Sequence, residues 1–550
     1  MFFVVKNIDL DKTEATIMKR TTILWVTALL LGWFFDLLFW KHPLGINFAI
    51  FVLLCLAGGL LALTQNGLRP AGTSLLLLIP ILLFALLTFV RQEPLSLGLS
   101  FIFTIALMSL LAVSFLGGKW PSYSLTDYVT QSFRLVGSLF ARPLIFLSET
   151  RQLAVAAQDP AIPQTRTRSG WKRFWAILRG LLIALPVVLI FAGLLSSADL
   201  VFAQRLHDFT RLFRLENLSQ YLFRLFYILI VAYALAGAIL HAAGKSRDEQ
   251  LWSGKPLVPQ FLGFTEAAVV LGAVVALFAA FVVIQFQYFF GAGANIGVQG
   301  YTYSEYARRG FGELIAVAIC SLLLFLGLRA IVKRQNPAQR WGFSGLGVGM
   351  VMLVGVILVS AFQRLLLYEA AYGFSRLRMY THIFMLWLGL LLAVAVLLEL
   401  LRRERLFPLA ALLACLSFAL TLGLINVDGS IVRQNVTRAG AGQGLDVAYL
   451  ASLSTDSVPA LVQAYQSASL PAGTREAAGA VLACRRFTDP DQPDADWRSF
   501  TLTRFQADQA LKPFQQSLKQ YKLQTDASPV TVTSPAGKTF KCMDYYSSGD

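Results

Sequence analysis

The chain has 550 residues, 56 % hydrophobic and 14 % charged, and a formal net charge of +16. Soluble domains carry about 25 % charged residues, so this composition, with a mean hydropathy of +0.62, excludes an ordinary soluble fold. The apolar runs lack period-2 alternation, which excludes a barrel and leaves helices as the way to satisfy backbone groups in lipid. The positive balance fits Lys and Arg gathered in the cytoplasmic loops of a membrane protein. No basic stripe with interleaved aromatic residues points to nucleic acid.

Residues 1–20 form a polar tail with Lys6, Lys12, Lys19 and Arg20. No small-residue cleavage site closes the first apolar run, which therefore reads as an uncleaved helix, with Met18 as an alternative start. Spanning helices are predicted at 21–40, 44–64, 72–90, 95–117, 180–198, 222–242, 262–287, 311–331, 343–363, 380–401 and 409–426. Each offers about 20 apolar residues, enough to cross the hydrocarbon core. With the N-terminus in the cytoplasm, the inside segments hold roughly twice the basic residues of the outside ones. These crossings leave the region after Asn426 outside.

The longest inside loop, 118–174, carries Leu125, Val129, Phe133, Val136 and Phe140 at helical spacing, with Arg134 and Arg142 nearby. An amphipathic helix on the inner leaflet fits this pattern, and so does a helix packed against the bundle. Residues 156–170 read as a Pro-rich basic linker.

Charge collects at the outer helix ends. Asp36 lies near the end of the first span, Asp199 follows the fifth, Arg224 begins the sixth, and Gln285 and Gln287 close the seventh. Glu305, Arg308, Arg309 and Glu313 follow at i, i+3, i+4 and i+8, on one side of a helix. Arg364, Glu369, Arg376, Arg378 and His382 surround the ninth-to-tenth connection, where Gly373 reads as a helix end and Ser375 as the next cap. Glu266 is separate, one turn inside the seventh span from the inner face. Two readings of this belt stand: acids and arginines that snorkel and pair to hold the helices, or a polar cavity where arginines meet an anionic group or carboxylates relay protons.

Other signals carry less. GAGANIG (291–297) lacks the strand and the Lys-Ser/Thr of a phosphate loop, and GLGVGM (345–350) reads as small residues at a helix contact. His42, His207, His241 and His382 show no metal-ligand spacing, and no cofactor motif or Ser–His–Asp order is visible. Cys55, Cys320 and Cys415 read as packing residues within spans.

Residues 427–550 are soluble in composition. Helices are predicted at 445–466, 472–487 and 497–522, then a hairpin from PVTVTS (529–534) and KTFKCM (538–543). Cys484 and Cys542 would face an oxidising space, where a disulfide would tie the hairpin to the helix that carries Cys484.

Several motifs then carry a resemblance: SSADLVFA after the fifth span, TYSEYARRGFGELI, RLLLYEAAYGFSRLRMYTHIFMLW, NVDGSIVRQNVTRA with LDVAYLASLSTDSVPAL, and DWRSFTLTRFQADQAL. Spread over about 175–511, they resemble a family of bacterial polytopic membrane proteins, domain of unknown function 4173, related to domain of unknown function 4153. The resemblance implies a protein of the bacterial cytoplasmic membrane and supplies no activity, cofactor or catalytic residue.

The expectation is an all-α polytopic membrane protein with about eleven transmembrane helices and a mainly helical extracytoplasmic C-terminal domain carrying a short β-hairpin. Its expected role is non-enzymatic, in transport or envelope signalling, with membrane lipid around it and an anionic ligand or lipid headgroup in an outward polar cavity. The alternatives are an enzyme acting on lipid-linked substrates at the outer face, with Asp36 or Asp199 as base, and a structural scaffold.

Overall fold

The computed structural model describes residues 20–156, 218–244, 259–290, 311–488, 496–524 and 529–542, with Ser246 and scattered positions between 180 and 205. Among these residues, ten helices are long and apolar enough to cross a membrane. They match ten of the predicted spans; most of the remaining one, 180–198, lies outside the described residues.

Two compact units are present. The smaller contains α1 (Thr21–Phe39), the second half of α2 (Ile46–Thr64), the later part of α5 (Leu125–Ala156) and α6 (Leu218–Gly244). Helices α1 and α6 run antiparallel, and Gly32 lets them meet: a Cβ there would stand 2.7 Å from the carbonyl of Ile228. Small residues at such crossings are the usual means of close helix approach in lipid.

The larger unit contains α3 (Gly72–Val90), α4 (Pro94–Ser114), α7 (Phe264–Phe290), α8 (Phe311–Ile331), α9 (Pro337–Tyr372), α10 (Arg376–Leu400) and α11 (Phe407–Ile425). At 1.5 Å per residue α9, with 36 residues, is about 54 Å long, well beyond a core of about 30 Å. It stops at Gly373, whose φ of +82° suits glycine. Ser375 takes the N-cap position of α10 but makes no capping hydrogen bond. The expected cap is replaced from elsewhere: the Tyr449 hydroxyl accepts from the Arg376 amide at 2.8 Å. The apolar core of these helices includes Leu271, Phe325, Phe343, Val354 and Leu388. Cys55 is buried, but Cys320 and Cys415 are exposed. They sit on outward faces of their spans, so the packing role expected of them does not hold.

Asn426, left-handed at φ +53°, separates α11 from the C-terminal domain. Its Oδ1 accepts from Gly429 N at 2.9 Å, opening α12 (Val427–Gly440). Then come α13 (Val447–Ala451), α14 (Val458–Gln466), α15 (Ala472–Thr488) and α16 (Leu502–Leu511). The helix expected to run to Lys522 ends earlier, because the chain passes through short turns into a strand. That strand, β1 (Lys522–Gln524), pairs antiparallel with β2 (Thr531–Thr533), which pairs with β3 (Thr539–Lys541), giving a three-stranded sheet. The β2–β3 turn closes with Gly537 at φ +85° and Gly537 N bonded to Ser534 O at 3.0 Å. Cys484 on α15 is bonded to Cys542 beyond β3. The domain's core is not closed on itself, since Ile383 of α10 and Leu422 of α11 belong to the same cluster as Ile431, Leu461, Val481 and Val532.

Candidate functional site

Within the larger unit, where the C-terminal domain meets the spanning helices, the helix ends are charged and buried. Glu93 precedes Pro94 and caps its own helix: Oε1 accepts from Leu95 N at 2.8 Å and Oε2 from Ser96 N at 2.7 Å. Capping by a carboxylate satisfies amides that the helix leaves open, and here it also accepts the Tyr380 hydroxyl of α10. The preceding loop is held from the domain, where Asp456 Oδ2 accepts from Gln92 N at 2.7 Å and Glu93 N at 2.9 Å. Burial pushes the Asp456 carboxyl above the usual range, and the Gln92 amide and the Arg91 charge pull it back. Arg376 grips Asp428 with two bonds, Nε to Oδ1 at 2.8 Å and Nη2 to Oδ2 at 2.6 Å, while Ser454 N donates to the same Oδ2 at 2.7 Å. Such a forked pair, with its acid fully buried, is geometrically specific. Arg376 is therefore committed to holding the domain.

A second cluster lies along α9 and α10. Glu369 is 1 % exposed, and neither carboxylate oxygen makes a hydrogen bond. His382 Nδ1 lies 3.4 Å from its Oε1. Arg378 adds a positive charge nearby, with its guanidinium 4.2 Å over the Tyr368 ring and bonded to the Gly373 carbonyl. The Phe362 ring stands 4.5 Å from the imidazole. Buried Arg364 lies five residues before Glu369, about 7 Å along the helix. Lower on α9, Ser360 donates to Gln285 of α7 at 3.0 Å. An unbonded carboxylate in an apolar helix layer is costly. Beside an imidazole it can exchange a proton, and beside the Arg378 guanidinium it can be displaced by another anion.

At the other end of these helices, Glu399 pairs with Arg329 at 3.5 Å and Arg334 at 3.2 Å and accepts from Ser344 at 2.9 Å. In the smaller unit, Arg224 holds both oxygens of Asp36, the first at 2.9 Å. That pairing occupies the carboxylate an enzyme at this position would use as base.

The remaining belt residues are scattered. Asp199 is exposed and receives the Phe202 amide at 3.3 Å. Glu266 is exposed in the first turn of α7, where Oε2 accepts from Gly263 N at 2.7 Å. It caps the start of the span from within its first turn. Glu313 is exposed at the start of α8. Glu305, Arg308 and Arg309 lie outside the described residues. Sequence reasoning missed Glu93, Glu399, Asp428 and Asp456. Only Glu93 offered a local signal, an acid directly before a proline that opens an apolar run.

The segments that meet here, 364–387 and 426–461, are among those that carried the family resemblance. The profile described as Domain of unknown function (DUF4153) matches residues 78–464. The chain belongs to the DUF4153 family. No curated protein and no solved structure matches it. In this DUF4153 chain the matched region holds Glu369, His382 and every member of the Arg376–Asp428 and Glu93–Asp456 contacts, and it ends with α14. The disulfide and the sheet fall beyond it.

Proposed function

We propose that this DUF4153 protein is a non-catalytic, multi-pass component of the bacterial cytoplasmic membrane, acting in transport or envelope signalling. Its N-terminus is cytoplasmic, its C-terminal domain is outside, and it binds a phosphate-type anion, free or on a lipid headgroup, beside Glu369 and His382. One observation carries the reading: a buried carboxylate without a hydrogen bond, set beside His382 and the charge of Arg378. With the imidazole protonated, two cations face one acid, and an incoming anion would take over what Glu369 leaves unmade. The orientation rests on the basic residues of the inside loops and on a disulfide that suits an oxidising compartment. It requires an odd number of crossings, which the predicted span at 180–198 would complete.

The test is thermal stability of the full-length protein in detergent with inorganic phosphate or with phosphatidylglycerol. Wild type should be stabilised by one or both, and the comparison tells solute from lipid. Glu369→Gln removes the internal competitor and should bind more tightly, while Arg378→Gln and His382→Gln should lose the effect. Identical shifts in all four proteins, or none in wild type, would refute the site.

A further inference from the structure

Helix α5 is built inside out. At 3.6 residues per turn, Leu125, Val129, Phe133, Val136, Phe140 and Leu144 fall within an arc of about 100°, and all are exposed, Phe133 to 74 %. The opposite arc holds Asp127, Gln131, Leu135, Ser138 and Phe146, all buried. A helix on a water-facing surface shows the reverse arrangement.

Its seating on α6 gives its direction. Ser138 Oγ and His241 Nδ1 are 2.7 Å apart, the backbone of Leu139 lies 2.6 Å from where a Cβ at Gly237 would stand, and Tyr233 donates to the Phe140 carbonyl. Three consecutive residues of α5 thus span more than two turns of α6. The helices cross rather than run side by side, so α5 lies across the axis of a membrane-spanning helix. The crossing at Gly237 is about 10 Å short of the end of α6, whose 27 residues exceed the hydrocarbon core by about 10 Å in all. With that excess shared between the two ends, α5 sits roughly 5 Å below the core boundary, within the 5–10 Å depth of interfacial helices. On α6 itself Leu229 and Ile230 are exposed as well, as expected of a spanning helix.

We infer that α5 is a monotopic helix lying in the bilayer leaflet on the α6 C-terminal side, its apolar stripe covered by lipid acyl chains and its polar face packed on the protein. The occupant is the bilayer itself, not a soluble partner. A soluble partner would need the stripe above the membrane, whereas its anchor points lie within a spanning helix.

The experiment is site-directed spin labelling of the full-length protein in phosphatidylcholine–phosphatidylglycerol nanodiscs, after replacing Cys55, Cys320 and Cys415 by serine. Nitroxides at Phe133→Cys, Val136→Cys and Phe140→Cys should collide with oxygen, lose collisions with an aqueous nickel chelate, and report one common shallow depth. Arg134→Cys, on the flank, should keep its nickel collisions. Depth rising steadily from 133 to 140 would make α5 a crossing segment, and strong nickel collisions along the stripe would place it in water. Spin–spin broadening between identical sites would show a second copy covering it. Each of these three results overturns the inference.

Discussion

The Arg376 guanidinium and the Asp428 carboxylate form a two-bond fork at 2.8 and 2.6 Å, with the acid fully buried. They join the first turn of α10 to the first turn of the C-terminal domain. The same Arg376 gives its backbone amide to Tyr449, so one residue is held by two parts of the domain.

Breaking this fork should loosen the domain. Removing one partner of a buried pair strands the other and costs about 3–5 kcal/mol. Arg376→Gln and Asp428→Asn should each lower the unfolding temperature in detergent, and limited proteolysis should open the chain near Asn426. The double variant should be less damaged than the sum of the two, since neither charge is then left alone. Additive losses would show that the two residues do not act as a pair.

The disulfide should stabilise the domain through its unfolded state. Cys484 and Cys542 are separated by 58 residues, and closing a loop of that size is worth about 4 kcal/mol on the chain-entropy account. Reduction should lower the domain's unfolding temperature, and Cys484→Ala with Cys542→Ala should reproduce the effect. In intact cells, an impermeant maleimide should label these cysteines only after reduction. Labelling that needs permeabilised cells would place the domain in the cytoplasm and reverse the orientation.

Much of this was open to a reader of the sequence. The spans follow from apolar length, the break after Tyr372 from Gly373, and the change of character after Asn426 from composition. The clamp was not readable, because Arg376 meets a partner 52 residues away, and Glu93 and Tyr380 meet over 287. Nothing local tells which acid an arginine will face. Glu266 was legible as an acid one turn into an apolar run, but its bond from the Gly263 amide was not. Strand β1 was hidden because three residues of KLQ carry too little alternation to displace a helical reading.

The glycines of the 345–350 run should differ sharply from one another. A Cβ at Gly347 would run into the Phe325 ring of α8, which stacks on Phe343 with centroids 5.7 Å apart. At Gly345 and Gly349 a Cβ meets nothing within 4 Å. Gly347→Val should therefore destabilise by about 1–3 kcal/mol through overpacking, while Gly345→Ala and Gly349→Ala leave melting in detergent almost unchanged. Equal sensitivity at all three would mean that the α8–α9 contact is not made through Gly347.

Tyr521 should make the C-terminal domain sensitive to alkali. Its hydroxyl reaches the Glu476 carbonyl at 3.3 Å, and its ring fills the space that a side chain at Gly479 would need. Burial pushes the phenol above its ordinary value near 10. A folded-state value above the unfolded one means that the folded protein holds the proton more tightly. The associated stability is complete below about pH 10 and falls as pH rises through the folded value. Tyr521→Phe cannot ionise, so its melting temperature should decline less than that of wild type between neutral pH and pH 11. Other tyrosines and lysines titrate in both proteins, and the difference between the two curves isolates this one group. Parallel curves would show that the phenol is solvated in the folded state. Gly479→Ala, which forces the ring aside, should then lower the neutral-pH melting temperature and shrink the alkaline difference together, because both depend on the same buried seat.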